Sequence, residues 1–221
     1  MKTIINLKNI HKTYKLGETD VTALKNTNMT IEKGEFTCLK GPSGAGKSTL
    51  LHIIGGIEEP TSGSVEIHGK ETNSMSDKEL SYFRNRHIGF IFQSFNLTSV
   101  LNVYENIEYP LALRREKVNK EKIFDAIEAV GLQEYIRHKP DELSGGQRQR
   151  VAVARAIVTE PDIILADEPT ANLDSKTGQK ILDLLLKLNS ERGTTFLFST
   201  HNEEAAKLAK KTHHIFDGKM N

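Results

Sequence analysis

The chain has 221 residues, which is enough for one compact unit or for one core with a sizeable inserted subdomain. Lysine plus arginine (30) nearly balances aspartate plus glutamate (29), so the composition gives no bulk electrostatic reason for nucleic-acid binding, and we expect no nucleic-acid partner. No apolar stretch approaches the roughly 20 residues needed to span a bilayer, and the amino terminus turns polar too early for a signal peptide, so we expect a cytoplasmic chain that reaches any membrane through a partner.

The first third of the chain is predicted to be rich in strands. Apolar and β-branched residues lie between turn signals over residues 4–10, 22–31, 36–40 and 65–68. The third of these strands contains the only cysteine, Cys38, whose apolar neighbours predict a buried structural thiol. This strand leads directly into a glycine-rich loop, and helical spacing follows over residues 47–57.

The middle of the chain is predicted to be helical. Apolar residues at spacings of three and four predict helices over residues 76–86, 103–113 and 119–130, which we interpret as an inserted helical subdomain. The last third predicts a strand, a helix, a strand, a helix and a strand, over residues 162–166, 175–190, 194–199, 202–210 and 212–216. Such alternation is typical of a parallel sheet covered by helices.

The glycine-rich loop fits the phosphate-binding pattern G-x-x-x-x-G-K-[ST] at every specified position, and it lies between a predicted strand and a predicted helix. Its glycines let successive backbone amides point at phosphate oxygens, and the helix start adds partial positive charge. Lys47 supplies a full charge for the β and γ phosphates of ATP, and the Ser48 hydroxyl can bind Mg²⁺. The alternative is a glycine-rich turn with an incidental lysine. The candidate ATP-binding residues of this segment are Gly41, Pro42, Ser43, Gly44, Ala45, Gly46, Lys47, Ser48 and Thr49.

A pair of carboxylates ends the strand predicted over residues 162–166. In doubly wound sheets, ligands bind at the carboxyl ends of the strands. Asp167 is then placed to hold Mg²⁺, and Glu168 is placed to polarise a water molecule for attack on the γ phosphate. Two acidic residues at a strand end can also form a solvated turn, but the phosphate loop in the same chain favours a catalytic site.

A second glycine motif, Ser144-Gly145-Gly146-Gln147, precedes a helix predicted over residues 148–158 and forms a second helix start suited to anions. Alone, it could be a glycine turn that caps a helix. The phosphate loop, this motif and the acidic pair occur in the order characteristic of ABC ATPases. The chain resembles the ATP-binding subunit of an ABC transporter over essentially its whole length.

The resemblance implies the fold class and its subdivision. We expect an α/β protein: a P-loop NTPase core with a parallel sheet covered by helices, an N-terminal antiparallel β subdomain and an inserted α-helical subdomain. Residues 1–221 would form a single ABC ATPase domain. Residues of about 1–92 and 160–221 would form the nucleotide-binding core with the β subdomain, and residues of about 93–159 the helical subdomain with the signature motif.

The resemblance also implies roles for single residues. Gln93 is similar to the family residue that senses Mg²⁺ and the γ phosphate, and Asp174 to the residue that bridges two subunits. His201 resembles the switch histidine that contacts the γ phosphate and joins Glu168 as a catalytic residue. Tyr14 is the best candidate to stack on adenine, although a strand aromatic packed in the core is the alternative. Without the resemblance, Gln93 would be interpreted as a strand-end polar residue and His201 as a surface histidine.

The resemblance therefore implies an ATP-hydrolysing motor subunit. Two copies would close head to tail on two ATP molecules, with Ser144, Gly145 and Gly146 of one copy completing the phosphate site of the other. Hydrolysis would reopen the dimer and drive a separate integral membrane permease, which would hold the chain at the inner face of the cell membrane.

Residues 89–97 and 104–111 resemble the branch that contains lipoprotein-releasing, macrolide-export and antimicrobial-peptide-export ATPases. This favours export, or extrusion of lipoproteins or peptides. The alternative is a non-transport ABC ATPase that signals through ATP-dependent dimerisation, as in cell division, or that acts on DNA or ribosomes. The sequence lacks the long coiled coils and the fused second domain of the DNA-acting and ribosome-acting members, and it lacks the Asn-Lys-x-Asp guanine signature of GTPases.

Overall fold

The computed structural model describes residues 2–114 and 118–220. Within these residues the strands are β1 (Thr3–Leu16), β2 (Thr19–Glu32), β3 (Phe36–Lys40), β4 (Ser62–Ile67), β5 (Lys70–Glu71), β6 (Ile88–Ile91), β7 (Ile163–Ala166), β8 (Thr195–Thr200), β9 (Lys211–Phe216) and β10 (Lys219–Met220). The α-helices are α1 (Lys47–Ile54), α2 (Asp77–His87), α3 (Val103–Ala112), α4 (Lys120–Ala129), α5 (Gly145–Ile157), α6 (Ser175–Arg192) and α7 (Glu203–Lys207).

The predicted elements are present, and their bounds differ where long-range pairing or glycine decides them. The first two predicted strands lengthen to 14 residues each, because β1 and β2 pair along an antiparallel ladder with several register shifts. The short strands β5, β6 and β10 were not among the predicted strands. The helix predicted over residues 47–57 ends at Ile54, where Gly55 follows and Gly56 takes a φ of 61°.

The central sheet has six strands in the order β10-β9-β3-β8-β7-β6. The strands from β9 to β6 run parallel, and β10 is antiparallel to β9. A separate antiparallel sheet has the order β2-β1-β4-β5. The predicted fold class, α/β with an N-terminal antiparallel sheet and a parallel sheet, is confirmed.

The two faces of the parallel sheet face different cores, because neighbouring side chains of a strand point in opposite directions. Phe196 and Phe198 of β8 belong to a core that includes buried residues of α3 to α6. Leu197, between them, belongs to the core shared by α1 and the antiparallel sheet. Cys38 lies in the first of these cores, and burial raises the pKa of its thiol to about 12, which fits the predicted structural role.

Helices α3, α4 and α5 contribute to one core, as expected for an inserted helical subdomain. Helix α2 differs, because its one buried residue, Phe83, packs in the core on the other side of the sheet. The subdomain boundaries near residues 93 and 159 stay a prediction. Within residues 2–114 and 118–220, no helix has the length and apolar composition that crossing a membrane requires.

Four loops that carry predicted site residues follow parallel strands. They come after β3, β6, β7 and β8, and they carry the phosphate loop, Gln93, the acidic pair and His201. Parallel strands present their carboxyl ends at the same edge of a sheet. The topology therefore brings together four segments that are distant in the sequence.

Candidate functional site

The phosphate loop requires glycine at two positions that approach neighbouring backbone. A Cβ atom at Gly41 would lie 2.2 Å from the carbonyl oxygen of Ile215, and one at Gly46 would lie 2.6 Å from that of Ala23. Gly46 also has a φ of 102°, in the left-handed region that favours glycine. Lys47 follows as the first residue of α1, so the loop leads directly into the amino end of a helix.

The ammonium group of Lys47 is buried and held by oxygen atoms. Its Nζ donates hydrogen bonds to the carbonyl oxygens of Gly41 and Pro42 at 2.9 Å each, and it lies 3.3 Å from Oε1 of Glu168. A buried cation needs such contacts because it has lost its water shell. The charge is therefore held against the loop that is predicted to receive the phosphates.

Ser199, near the end of β8, links the carboxylate of Asp167 to the backbone of Glu168, and it was not predicted from the sequence. Its hydroxyl donates a hydrogen bond to Oδ1 of Asp167 at 2.6 Å and accepts one from the backbone N–H of Glu168 at 2.8 Å. The backbone N–H of Asp167 donates to the carbonyl oxygen of Ile91 at 2.8 Å. The sequence shows only a hydroxyl residue near the end of a buried strand. Its contact with Asp167 could not be predicted, because it depends on β8 lying next to β7.

Both carboxylate oxygens of Glu168 contact a basic side chain. Oε1 faces Lys47, and Oε2 lies 2.9 Å from Nδ1 of His201. The backbone of Glu168 has a φ of 41°, a conformation that costs a non-glycine residue about 1–3 kcal/mol and persists only when its surroundings hold it. Here the hydrogen bond to Ser199 contributes that support, so the carboxylate is fixed between the two basic groups.

Most of the predicted phosphate-side residues line one cleft of about 650 Å³. Its lining includes loop residues 42–44 and 46–49 together with Gln93, Glu168 and His201. Gly41 and Ala45 belong to the loop without lining the cleft, and Ala45 is buried. Asp167 is also buried and does not line the cleft, although it directly precedes Glu168, which does. The cleft thus unites the predicted phosphate, water-activating and switch residues.

The signature motif lines a different pocket, of about 510 Å³. Ser144 Oγ accepts a hydrogen bond from the N–H of Gln147 at 3.3 Å, and Gln147 Oε1 accepts one from the N–H of Ser144 at 2.7 Å. This reciprocal capping box starts α5. Gly145 lines the same pocket, and Gly146 is packed so closely that a Cβ atom there would lie 2.5 Å from Cγ2 of Thr177.

Asp174 lines the signature pocket and caps the amino end of α6. Its Oδ1 accepts a hydrogen bond from the N–H of Thr177 at 3.0 Å, and the contact with Thr177 holds the pKa of the carboxyl below its usual value. A negative charge therefore stands beside the signature motif, at the surface where a second subunit is predicted to dock.

Tyr14 does not itself line the 650 Å³ cleft, but it contacts Thr49, which does. Its hydroxyl donates a hydrogen bond to Glu58 and lies 3.3 Å from Oγ1 of Thr49, and burial together with the bond to Glu58 raises its pKa. The ammonium of Lys12 sits 5.0 Å from the ring centroid. Stacking of Tyr14 on adenine stays a prediction.

Residues 24–171 match the family model described as ABC transporter. The chain belongs to the ABC transporter family. It is 46% identical over 223 residues to an uncharacterised ABC transporter ATP-binding protein of Methanocaldococcus jannaschii, covering 98% of this chain and 95% of that one. It is 44% identical to the lipoprotein-releasing system ATP-binding protein LolD of Psychrobacter arcticus, covering 96% of this chain and 95% of that one. It is also 44% identical to the macrolide export ATP-binding/permease protein MacB of Bdellovibrio bacteriovorus, covering 97% of this chain and 33% of that one.

The solved structures agree with this assignment. An ATP-binding cassette solved as a dimer in a post-hydrolysis state with ADP and Pi matches with a TM-score of 0.93 and 45% identity, covering 99% of this chain and 97% of that one. The protein cbiO1 of Clostridium perfringens, part of an ABC transporter complex, matches with a TM-score of 0.85 and 29% identity, covering 100% and 88% of the two chains. The chain is an ABC-type ATPase, and the predicted branch is confirmed by its lipoprotein-releasing and macrolide-export relatives.

Proposed function

We propose that the chain is the ATP-hydrolysing motor subunit of a bacterial ABC transporter and works as a head-to-tail dimer. One observation carries the proposal: the phosphate-side residues line one cleft, whereas the signature motif of the same chain lines another pocket. Two helix starts suited to phosphate would meet on one ATP if a second copy brought its signature motif to the cleft. The relative solved with ADP and Pi as a dimer supports this arrangement.

Each residue of the cleft would have its own role in the hydrolysis of ATP to ADP and phosphate. Lys47 would bind the β and γ phosphates after exchanging its contacts with the loop carbonyls for phosphate oxygens. Glu168 would orient the attacking water and accept its proton, and His201 would hold that carboxylate while facing the γ phosphate. In the second copy, Ser144 would add its helix start to the same phosphates.

A magnesium ion fits the oxygen donors that the cleft offers. Ser48 and Gln93 line it with a hydroxyl and an amide oxygen. Asp167, the buried residue directly before Glu168, would add a carboxylate, and hydroxyl, amide and carboxylate oxygens are ligands that Mg²⁺ prefers. We propose that Ser48, Gln93 and Asp167 hold the ion. When bound, Mg²⁺ would neutralise charge on the β and γ phosphates.

Mixing two inactive variants tests whether the signature motif acts in trans. Lys47→Ala removes the phosphate charge, and Ser144→Asp keeps a good helix cap while placing a negative charge against the triphosphate. Each variant alone should be nearly inactive, because each lacks a contact worth about 10²–10³ in rate. A mixture should recover ATP turnover to at least about tenfold above either variant, because the heterodimer holds one intact composite site. Phosphate release at a fixed total protein concentration measures the recovery.

Ser144→Asn is the matched control for this mixing experiment. It retains the helix cap without the added charge, so it should keep far more activity than Ser144→Asp. If the mixture stays as inactive as its parents while both variants bind each other, the composite site is wrong and each chain would have to hydrolyse ATP alone.

An exposed apolar groove supports a permease partner. Ile57, Tyr109 and Leu113 are 45%, 51% and 58% exposed, and they line a groove of about 530 Å³ together with Phe92. Clustered exposed apolar side chains mark protein contacts. Phe92 lines the groove, and the next residue, Gln93, lines the ATP cleft. A partner bound in the groove could therefore sense whether ATP occupies the cleft. We propose that the permease docks in this groove at the cytoplasmic face of the membrane, which agrees with the joint ATP-binding and permease functions in the name of the macrolide export relative.

A charged residue placed in this groove should weaken binding of the permease while leaving ATP hydrolysis by the isolated subunit nearly unchanged. Tyr109→Asp or Leu113→Asp should reduce co-purification of the permease from detergent-solubilised membranes by more than about tenfold, because a buried unpaired carboxylate opposes docking. ATP turnover of the isolated subunit should change by less than about twofold. Phe124→Asp, a change of a similarly exposed aromatic outside the groove, is the control and should retain the permease.

The partner recovered in that experiment also separates transport from the alternatives. Recovery of a membrane protein that transports a substrate across the membrane of vesicles when ATP is added would support the export hypothesis. A permease-like partner that never moves a substrate favours signalling, and recovery of DNA or ribosomes without any membrane protein would contradict the motor assignment.

A further inference from the structure

Three side chains that commonly bind metals meet at the edge of the sheet opposite the phosphate loop. His68 lies in the turn between β4 and β5, His87 is the last residue of α2, and Asp162 directly precedes β7. Glu168 follows the other end of β7, so the strand separates this cluster from the ATP cleft. The proposed ATP chemistry uses none of the three residues.

The carboxylate of Asp162 is central to the cluster. Its Oδ2 lies 2.7 Å from Nδ1 of His87 and 3.1 Å from Nε2 of His68, and one donor atom of each residue lies within 4.8 Å of the other two. Two ligands of a tetrahedral zinc ion, with bonds of about 2.0–2.1 Å, are about 3.3 Å apart. Small side-chain rotations would therefore convert the present contacts into ligand spacing.

The Nε2 atom of His68 lies 3.1 Å from the Asp162 carboxylate without the geometry of a hydrogen bond. It is buried from solvent and makes no hydrogen bond within the part of the chain that the structure describes, although it lies near the Asp162 carboxylate. A buried polar atom without a hydrogen bond costs free energy because it has lost its contacts with water. A cation between this nitrogen and the carboxylate would satisfy both groups.

Charge and exposure also suit a cation. Asp162 supplies a carboxylate, which attracts a cation, and its Oδ2 lies within about 3 Å of a ring nitrogen of each histidine. Two imidazoles and one carboxylate form a common three-ligand set for zinc, with water in the fourth position. The three side chains are 27–34% exposed, which leaves a route for the ion and room for that water.

We propose that His68, His87 and Asp162 bind a zinc ion that fastens the β4–β5 turn and α2 to the start of β7. The ion would raise the free energy of unfolding, because it would join the antiparallel sheet to the parallel sheet. It would lie at the opposite end of β7 from Glu168. Binding requires deprotonated imidazoles, so the affinity falls in acid.

Zinc titration of nucleotide-free, chelator-treated protein tests the site. Wild type should bind one zinc ion per chain, and at a free zinc concentration about 100-fold above Kd its Tm should rise by about 5–10 °C. Co²⁺ in place of zinc should give the visible absorption bands of a tetrahedral site. His68→Gln and His87→Gln should each weaken zinc binding by more than about tenfold and remove these bands, with circular dichroism confirming the fold.

His138→Gln is the matched control, because it removes a histidine that packs on Tyr135 outside the cluster, and it should bind zinc as wild type does. If the histidine variants fail to fold, Asp162→Asn takes their place, and it should show the same loss of zinc binding and of the Co²⁺ absorption bands. Wild type without saturable one-to-one binding would overturn the proposal, as would undiminished affinity in the cluster variants. Zinc inhibition of ATP turnover that parallels binding in wild type and variants alike would also overturn it, by placing the ion at the catalytic cleft.

Discussion

Glu168→Gln is expected to lower steady ATP hydrolysis by about 10²–10⁴-fold while ATP binding persists. Glutamine has nearly the same shape, but it cannot accept the proton of the attacking water. It also removes the negative charge that faces Lys47 at 3.3 Å, which lowers the repulsion felt by the γ phosphate. ATP should therefore hold the dimer closed without being consumed. Phosphate release measures turnover, and light scattering at saturating ATP measures the dimer.

Glu160→Gln is the matched control for this prediction. Glu160 is exposed, pairs with Lys122 and lies before β7, at the far edge of the sheet from the cleft, so the same chemical change there should leave turnover near wild type. A Glu168→Gln protein that hydrolyses ATP at the wild-type rate, or that stays monomeric at saturating ATP, would contradict the assigned role of Glu168.

Lys47→Ala is expected to weaken ATP binding by about 10²-fold or more and to abolish turnover. The ammonium is buried and positioned by Gly41 and Pro42, so its contacts with phosphate would be charge-assisted and desolvated, and each such hydrogen bond contributes about 1.5–3 kcal/mol. Alanine cannot reach the phosphates, and it leaves Oε1 of Glu168 without the cation that faces it. Equilibrium binding of a fluorescent ATP analogue measures the loss.

Lys187→Ala controls for the removal of a lysine side chain. Lys187 is exposed on α6 and pairs with Glu191, so its loss should leave ATP affinity unchanged. Circular dichroism separates a folding defect of Lys47→Ala from a binding defect. Undiminished ATP affinity in a folded Lys47→Ala protein would refute the assignment of the phosphate loop.

Local chemistry made the phosphate loop and the signature motif predictable. Gly46 must adopt a left-handed φ directly before a helix, and Ser144 and Gln147 form a capping box over four residues, so each constraint acts within a short segment. The alternation of strands and helices likewise predicted the parallel sheet, because the hydrophobic period is local. The acidic pair was predictable as a strand end.

Other features required knowledge of which strands are neighbours. The lengths of β1 and β2 follow from their pairing and its register shifts, and β10 forms only against β9. Helix α2 was predicted correctly as a helix. The sequence did not show that its buried residue, Phe83, packs in the core shared by α1 and the antiparallel sheet. Hydrophobic spacing predicts a buried face without saying which partner covers it.

The sequence by itself determined the ATPase chemistry: a lysine in a glycine loop, paired carboxylates and a second glycine motif, each encoded by residues close together in the chain. The tertiary structure decided which distant side chains complete that chemistry. Ser199 meets Asp167 because β7 and β8 are adjacent, and His68, His87 and Asp162 meet because a turn, a helix end and a strand start converge. These contacts join residues from separate segments, and hydrogen-bond and metal-ligand distances of about 3 Å can be specified only by the packing of the whole chain.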